Sequence, residues 1–125
     1  MIVEILPGFY KVEIPAPDNH SKATNSHIIK SEERSLIIDT GVNREKYMKV
    51  MHAILKKLKI EPLKADFFVT HSHPDHFGLT MQFATETSCI YLNQKEAETI
   101  SMLNKSDYLD DGFKFVLMHG YLKTN

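Results

Sequence analysis

Apolar and polar residues alternate through the first forty positions, and the period then lengthens. Runs at Val3–Leu6, Phe9–Ile14, Ser26–Ile29 and Leu36–Ile38 carry the two-residue period of half-buried strands. Turn formers separate them: Pro7-Gly8, the loop Pro15-Ala16-Pro17-Asp18-Asn19, and the polar link Ser31–Ser35, which can close a hairpin. An antiparallel meander is expected first. The spacing then changes: Tyr47, Val50, Met51, Ile54, Leu55 and Leu58 fall on one helical face, with Asn43 as N-cap and Pro62 barring continuation. Ala65–Thr70 is short, aromatic and β-branched, so it reads as a strand that delivers the chain into His71. Gly78–Thr87 has a helical pattern and is followed by a strand around Ile90–Leu92, which makes a βαβ unit. Asn93–Glu96 has the cap-plus-acid spacing of a helix start. The stretch Asp107–Asn125 reads as helical, with Phe115–Met118 and His119 closed by a Gly120 C-cap.

Composition narrows this picture without redirecting it. The 125 residues suit one domain, and 42% hydrophobic with 25% charged content is that of a folding chain. Fifteen basic against sixteen acidic residues give a net charge of −1, so no basic field gathers nucleic acid or an anionic membrane. The densest basic run, Lys56-Lys57-Leu58-Lys59, sits at a helix end, where cations complement the dipole. The lone Cys89 excludes an intrachain disulfide and reads as a buried, inert thiol in a strand. Neither a secretory signal pattern nor a membrane-length apolar run occurs, so a cytoplasmic location is expected.

The candidate chemistry lies in His71-Ser72-His73-Pro74-Asp75-His76, four metal-ligand side chains in six residues. Imidazole and carboxylate both suit zinc and similar divalent ions. In an extended loop His71 and His73 project to one side, while Pro74 stiffens the turn that carries Asp75 and His76 around a second position. Two adjacent metal positions are the natural reading.

Thr70–Gly78 resembles the His-x-His-x-Asp-His signature of the metallo-β-lactamase fold superfamily, and Asn25 and the segment Leu36-Ile37-Ile38-Asp39-Thr40-Gly41 resemble its earlier motifs. The resemblance covers most of residues 1–92. It implies an α/β (α+β) fold, the N-terminal half of an αββα sandwich with a mixed sheet and flanking helices. It implies a metal-activated hydroxide that attacks a small-molecule ester, thioester, lactone, amide or phosphodiester. It also implies His71 and His73 on one metal and Asp75 and His76 on the other, two per complete domain. Zinc is the leading ion, with iron or manganese as alternatives. Asp75 would orient the attacking group or relay a proton, and Asp39 would support a ligand histidine from behind.

The superfamily pattern also requires a further histidine, a bridging aspartate and a last histidine downstream. Within these 125 residues only His119 is spaced to serve, and its helical setting argues against it. With two ligands per metal, a weakly active or inactive partial domain is expected, self-associating through an uncovered sheet face. A non-catalytic metal-binding or interaction module is the alternative. An amidohydrolase-type barrel is disfavoured, because a meander and a helix precede the His-x-His.

Overall fold

The computed structural model describes residues 2–14, 24–70, 74–96, 98 and 114–118, with 74–75 and 114–118 described as backbone only. The meander forms as expected: β1 (Ile2–Leu6), β2 (Phe9–Ile14), β3 (Thr24–Ile29) and β4 (Ser35–Ile38) pair antiparallel in sequence order. Gly8, at φ 81°, makes the β1–β2 turn in a conformation that a side chain disfavours. β5 (Ala65–Val69), β6 (Cys89–Asn93) and β7 (Lys114–Met118) then add in parallel, giving a seven-stranded mixed sheet in the order β1 to β7. Among the described residues this sheet begins with an antiparallel meander and β1 does not pair with β7, unlike an all-parallel closed barrel.

Parallel neighbours need a crossover, and α1 (Glu45–Lys57) supplies the one between β4 and β5. Its N-cap is Arg44, not Asn43. Arg44 is extended and its carbonyl accepts the first helical bonds, from Tyr47 and Met48 N–H, while no side chain caps the end. The C-terminus closes with a Schellman pair: Ile60 N–H donates to the Leu55 carbonyl and Lys59 N–H to the Lys56 carbonyl. Lys59 holds the left-handed position, φ 60°, that glycine ordinarily fills.

Between β5 and β6 lie two single turns, α2 (Pro74–Phe77) and α3 (Thr80–Phe83), rather than one helix over 78–87. Leu79 N–H donates to the Gly41 carbonyl instead of to its own preceding turn, which separates the two. Beyond Phe83, hydroxyls of Thr85, Thr87 and Ser88 bond one another and nearby backbone, and Ala84 is extended. Residues 94–96 are helical, as the sequence implies. The helical reading of 107–125 is corrected where the chain is described, since Lys114–Met118 is a strand. A strand in a parallel sheet carries a continuous apolar run, and periodicity cannot distinguish that run from a buried helix turn.

The core lies between one sheet face and the helices. Val12, Ile14, Ile28, Ile37, Phe67 and Ile90 are buried beneath Tyr47, Met51, Ile54 and Leu55 of α1 and Leu79 and Phe83 of the α3 region. Each fully buried side chain of this size contributes about 1.5–3 kcal/mol. The opposite face is less covered: Leu36, Ile38, Phe68 and Tyr91 are half-buried there and Ile29 is 42% exposed. Cys89 shares that face at the start of β6 and is half-buried, which corrects the expectation of a buried thiol. Beside it Arg34 forms a two-pronged bond to Asp66, at 3.0 and 2.9 Å, and also donates to the Leu63, Ala65 and Thr87 carbonyls, tying three segments together at one sheet end. The Asp66 hydrogen bond raises the Arg34 pKa further. Among the described residues no helix is long and apolar enough to cross a membrane.

Candidate metal centre

The site is built where β4 and β5 end side by side. Asp39 follows β4, its N–H donating to the Phe68 carbonyl at 2.8 Å, and the chain turns there with φ at 64°. Aspartate tolerates this left-handed conformation better than most residues. The buried Ser26 hydroxyl donates to the Asp39 carbonyl at 2.8 Å and so fixes the turn.

The Asp39 carboxylate accepts three hydrogen bonds: Thr70 N–H on Oδ1 at 2.8 Å, the Thr70 hydroxyl on Oδ2 at 2.6 Å, and His76 Nδ1–H on Oδ2 at 2.9 Å. Thr40 then holds the main chain of the same histidine, its N–H donating to the His76 carbonyl at 2.9 Å and its hydroxyl approaching that oxygen at 3.3 Å. Leu79 N–H donates in turn to the Thr40 hydroxyl and to the Gly41 carbonyl. Three consecutive residues, Asp39-Thr40-Gly41, therefore position α2. No Cβ fits at Gly41, since one placed there would lie 2.7 Å from Ile14 Cγ2.

The carboxylate is deeper than the imidazole, with side-chain exposures of 7% and 24%. A buried acceptor that fixes the Nδ1–H tautomer of a partly exposed histidine is the arrangement found behind ligand imidazoles, so the donor chemistry fits a divalent metal. Asp75 stands one residue earlier in α2, its side chain outside the described residues, as are His71 and His73. Among the described residues no three His, Cys, Asp or Glu side chains gather.

Sequence reasoning did not find Thr70, Thr40 or Ser26. Their partners lie 13 to 36 residues away, and nothing local announces them. Other histidines take different places. His27 stacks on Phe9 with centroids 5.9 Å apart, and His52 is exposed on α1, while His20 and His119 lie outside the described residues. Asn25 is exposed on β3 opposite Glu13.

Comparison with known proteins matches this architecture. The metallo-β-lactamase superfamily model matches residues 22–112. A comparison with curated proteins returns no match. Among solved structures, a metallo-β-lactamase family protein from Thermus thermophilus superposes with a TM-score of 0.68 at 19% identity, covering 86% of this chain and 36% of that one. The rubredoxin oxygen:oxidoreductase of Desulfovibrio gigas gives 0.73 at 15% identity, covering 95% and 31%. The metallo-β-lactamase FIM-1 of Pseudomonas aeruginosa, in its mono-zinc form, gives 0.60 at 16% identity, covering 98% and 50%. At such identities the likeness is one of fold, and this chain spans about a third to a half of each of those three. The family match extends over most of the sequence, through the Asp39 turn and the histidine loop alike: the chain belongs to the metallo-β-lactamase superfamily.

Proposed function

We propose that this chain carries the first metal-binding loop of a metal-dependent hydrolase, with His71 and His73 on one divalent ion and Asp75 and His76 on a second. The observation that carries this reading is the Asp39–His76 hydrogen bond of 2.9 Å, which commits Nδ1 and makes Nε2 the nitrogen through which His76 would ligate. Strand β7 supports adding His119 to the first position. Met118 pairs with Asn93 at the sheet edge where β5 ends, and His119 is the next residue in the chain. Zinc is the leading occupant, and iron and manganese are the alternatives. When bound, such an ion acidifies a coordinated water toward neutral pH and polarises a carbonyl or phosphoryl group.

The chain's own residues supply the rest. Thr70, held by Asp39 through two hydrogen bonds, fixes the point at which the histidine loop leaves the sheet. Asp75 orients the attacking group or carries its proton to the leaving atom. The substrate is a small molecule with an ester, thioester, lactone, amide or phosphodiester bond, and the half-covered sheet face provides a surface for self-association.

Competition titration of the chain against a chromogenic zinc chelator, with a hydrolysis panel of those five bond types, tests the reading. We expect one tightly and one weakly held ion, the first lost in His71→Ala/His73→Ala and the second in Asp75→Ala/His76→Ala, with slow turnover. Zinc binding that survives both double variants would overturn it. Metal binding without any turnover would favour a non-catalytic module.

A further inference from the structure

A groove of about 620 Å³ lies in the helix layer, between α1 and the segment that follows α3. It reaches Pro62, which precedes the entry to β5, whereas the histidine loop follows that strand's exit. Among the described residues, the groove's lining includes neither Asp39, Thr70 nor His76. The volume falls within the range of small-molecule sites.

Its two sides differ in chemistry. Met48, Pro62, Phe83 and Ala84 give an apolar lining, with Phe83 rooted in the core. Lys49, His52 and Lys56 stand along the α1 side at spacings of three and four, one stripe of one helical face. Among the described residues, no acidic side chain lines the groove. Glu45 reaches Lys49 at 3.7 Å, but both are well exposed and that contact is weak. Among the described residues, no salt bridge engages Lys56 or His52. Cations along one rim of an apolar cleft are complementary to a molecule with a negative head and a hydrocarbon body.

We propose that this groove binds an amphipathic organic anion, an aliphatic body against Phe83 and Ala84 with its carboxylate toward Lys49 and Lys56. The site is independent of the metal reading, and its test uses metal-free protein, so the two fail separately. Decanoate, decanol and decyltrimethylammonium are titrated below micelle-forming concentrations into ¹⁵N-labelled chain. Decanoate is expected to shift amides of residues 48–56 and 82–85 saturably, and to bind more tightly than decanol. Lys49→Glu/Lys56→Glu should weaken decanoate at least about fivefold, as two exposed ion pairs allow, and should favour the cationic probe. Ala53→Trp, at an exposed position in a chain without tryptophan, should fill the groove and abolish decanoate binding, its indole emission staying unchanged as decanoate is added. Lys59→Glu, outside the groove, should leave decanoate affinity unchanged. Equal affinity for decanoate and decanol, shifts centred on Ile29, Leu36 and Ile38, or full binding by the Ala53→Trp variant would overturn the proposal.

Discussion

Replacing Asp39 by Asn isolates the role of one charge, because the amide has the same shape and Asn also tolerates φ near 64°. Thr70 N–H needs an acceptor, so the Asn carbonyl oxygen must take the Oδ1 place and its NH₂ the Oδ2 place. That NH₂ then faces the Thr70 hydroxyl at 2.6 Å and His76 Nδ1 at 2.9 Å. The hydroxyl can rotate to accept, but an Nδ1–H cannot. His76 must therefore move its proton to Nε2, the nitrogen proposed to face the metal. Exchanging a charge-assisted bond for a neutral one costs roughly 1–2 kcal/mol of stability, while the wrong tautomer lowers affinity for the His76-held ion about 10–100-fold. Long-range ¹H–¹⁵N correlation spectra report the tautomer, and chelator competition reports the affinity. Unchanged zinc affinity in a variant whose His76 has switched to Nε2–H would refute the argument.

Two further outcomes follow from the packing and the charges. Gly41→Ala should destabilise the fold by about 1–3 kcal/mol in thermal or urea unfolding, because the new methyl meets the buried Ile14 Cγ2 at 2.7 Å; costs that simply add to those of Ile14→Ala in a double-mutant cycle would contradict the clash. The Tyr91 hydroxyl is held above its usual pKa of 10.0, first by the neighbouring Cys89 thiolate and then by burial. The unfolded chain thus loses this proton at lower pH, so the stability contribution is intact below pH 10 and fades as pH rises through the folded value. Urea midpoints should fall more steeply above about pH 10 in the natural chain than in Tyr91→Phe, and parallel curves would dismiss the coupling.

What the sequence made legible was whatever local spacing encodes. The α1 face and the alternation in β2 and β3 each bury their apolar positions against one common core, so pattern and outcome agree. The histidine loop announced itself because four potential metal ligands in six residues have no ordinary packing role. By spacing alone Asp39 reads as a strand-end aspartate, and only the family resemblance suggests that it supports a histidine; which histidine it holds is set by a bond to His76 that spans 37 residues and depends on β4 and β5 lying parallel. The break between α2 and α3 comes from Gly41, also remote in sequence, and the N-cap moved from Asn43 to Arg44 because Arg44 supplies the first carbonyl. β7 was mistaken for helix because Phe115-Val116-Leu117 is apolar on every position, a signature common to buried turns and parallel strands.

Strand order in the sheet is also chain order, β1 through β7. Among the described residues, no strand waits for a later one to create the edge on which it pairs. Each newly made segment finds the previous strand already presenting unpaired N–H and C=O groups, and loop-closure entropy is met in small steps. The sheet can therefore grow in the direction of synthesis, from the local meander outward, each described strand pairing onto the one made before it.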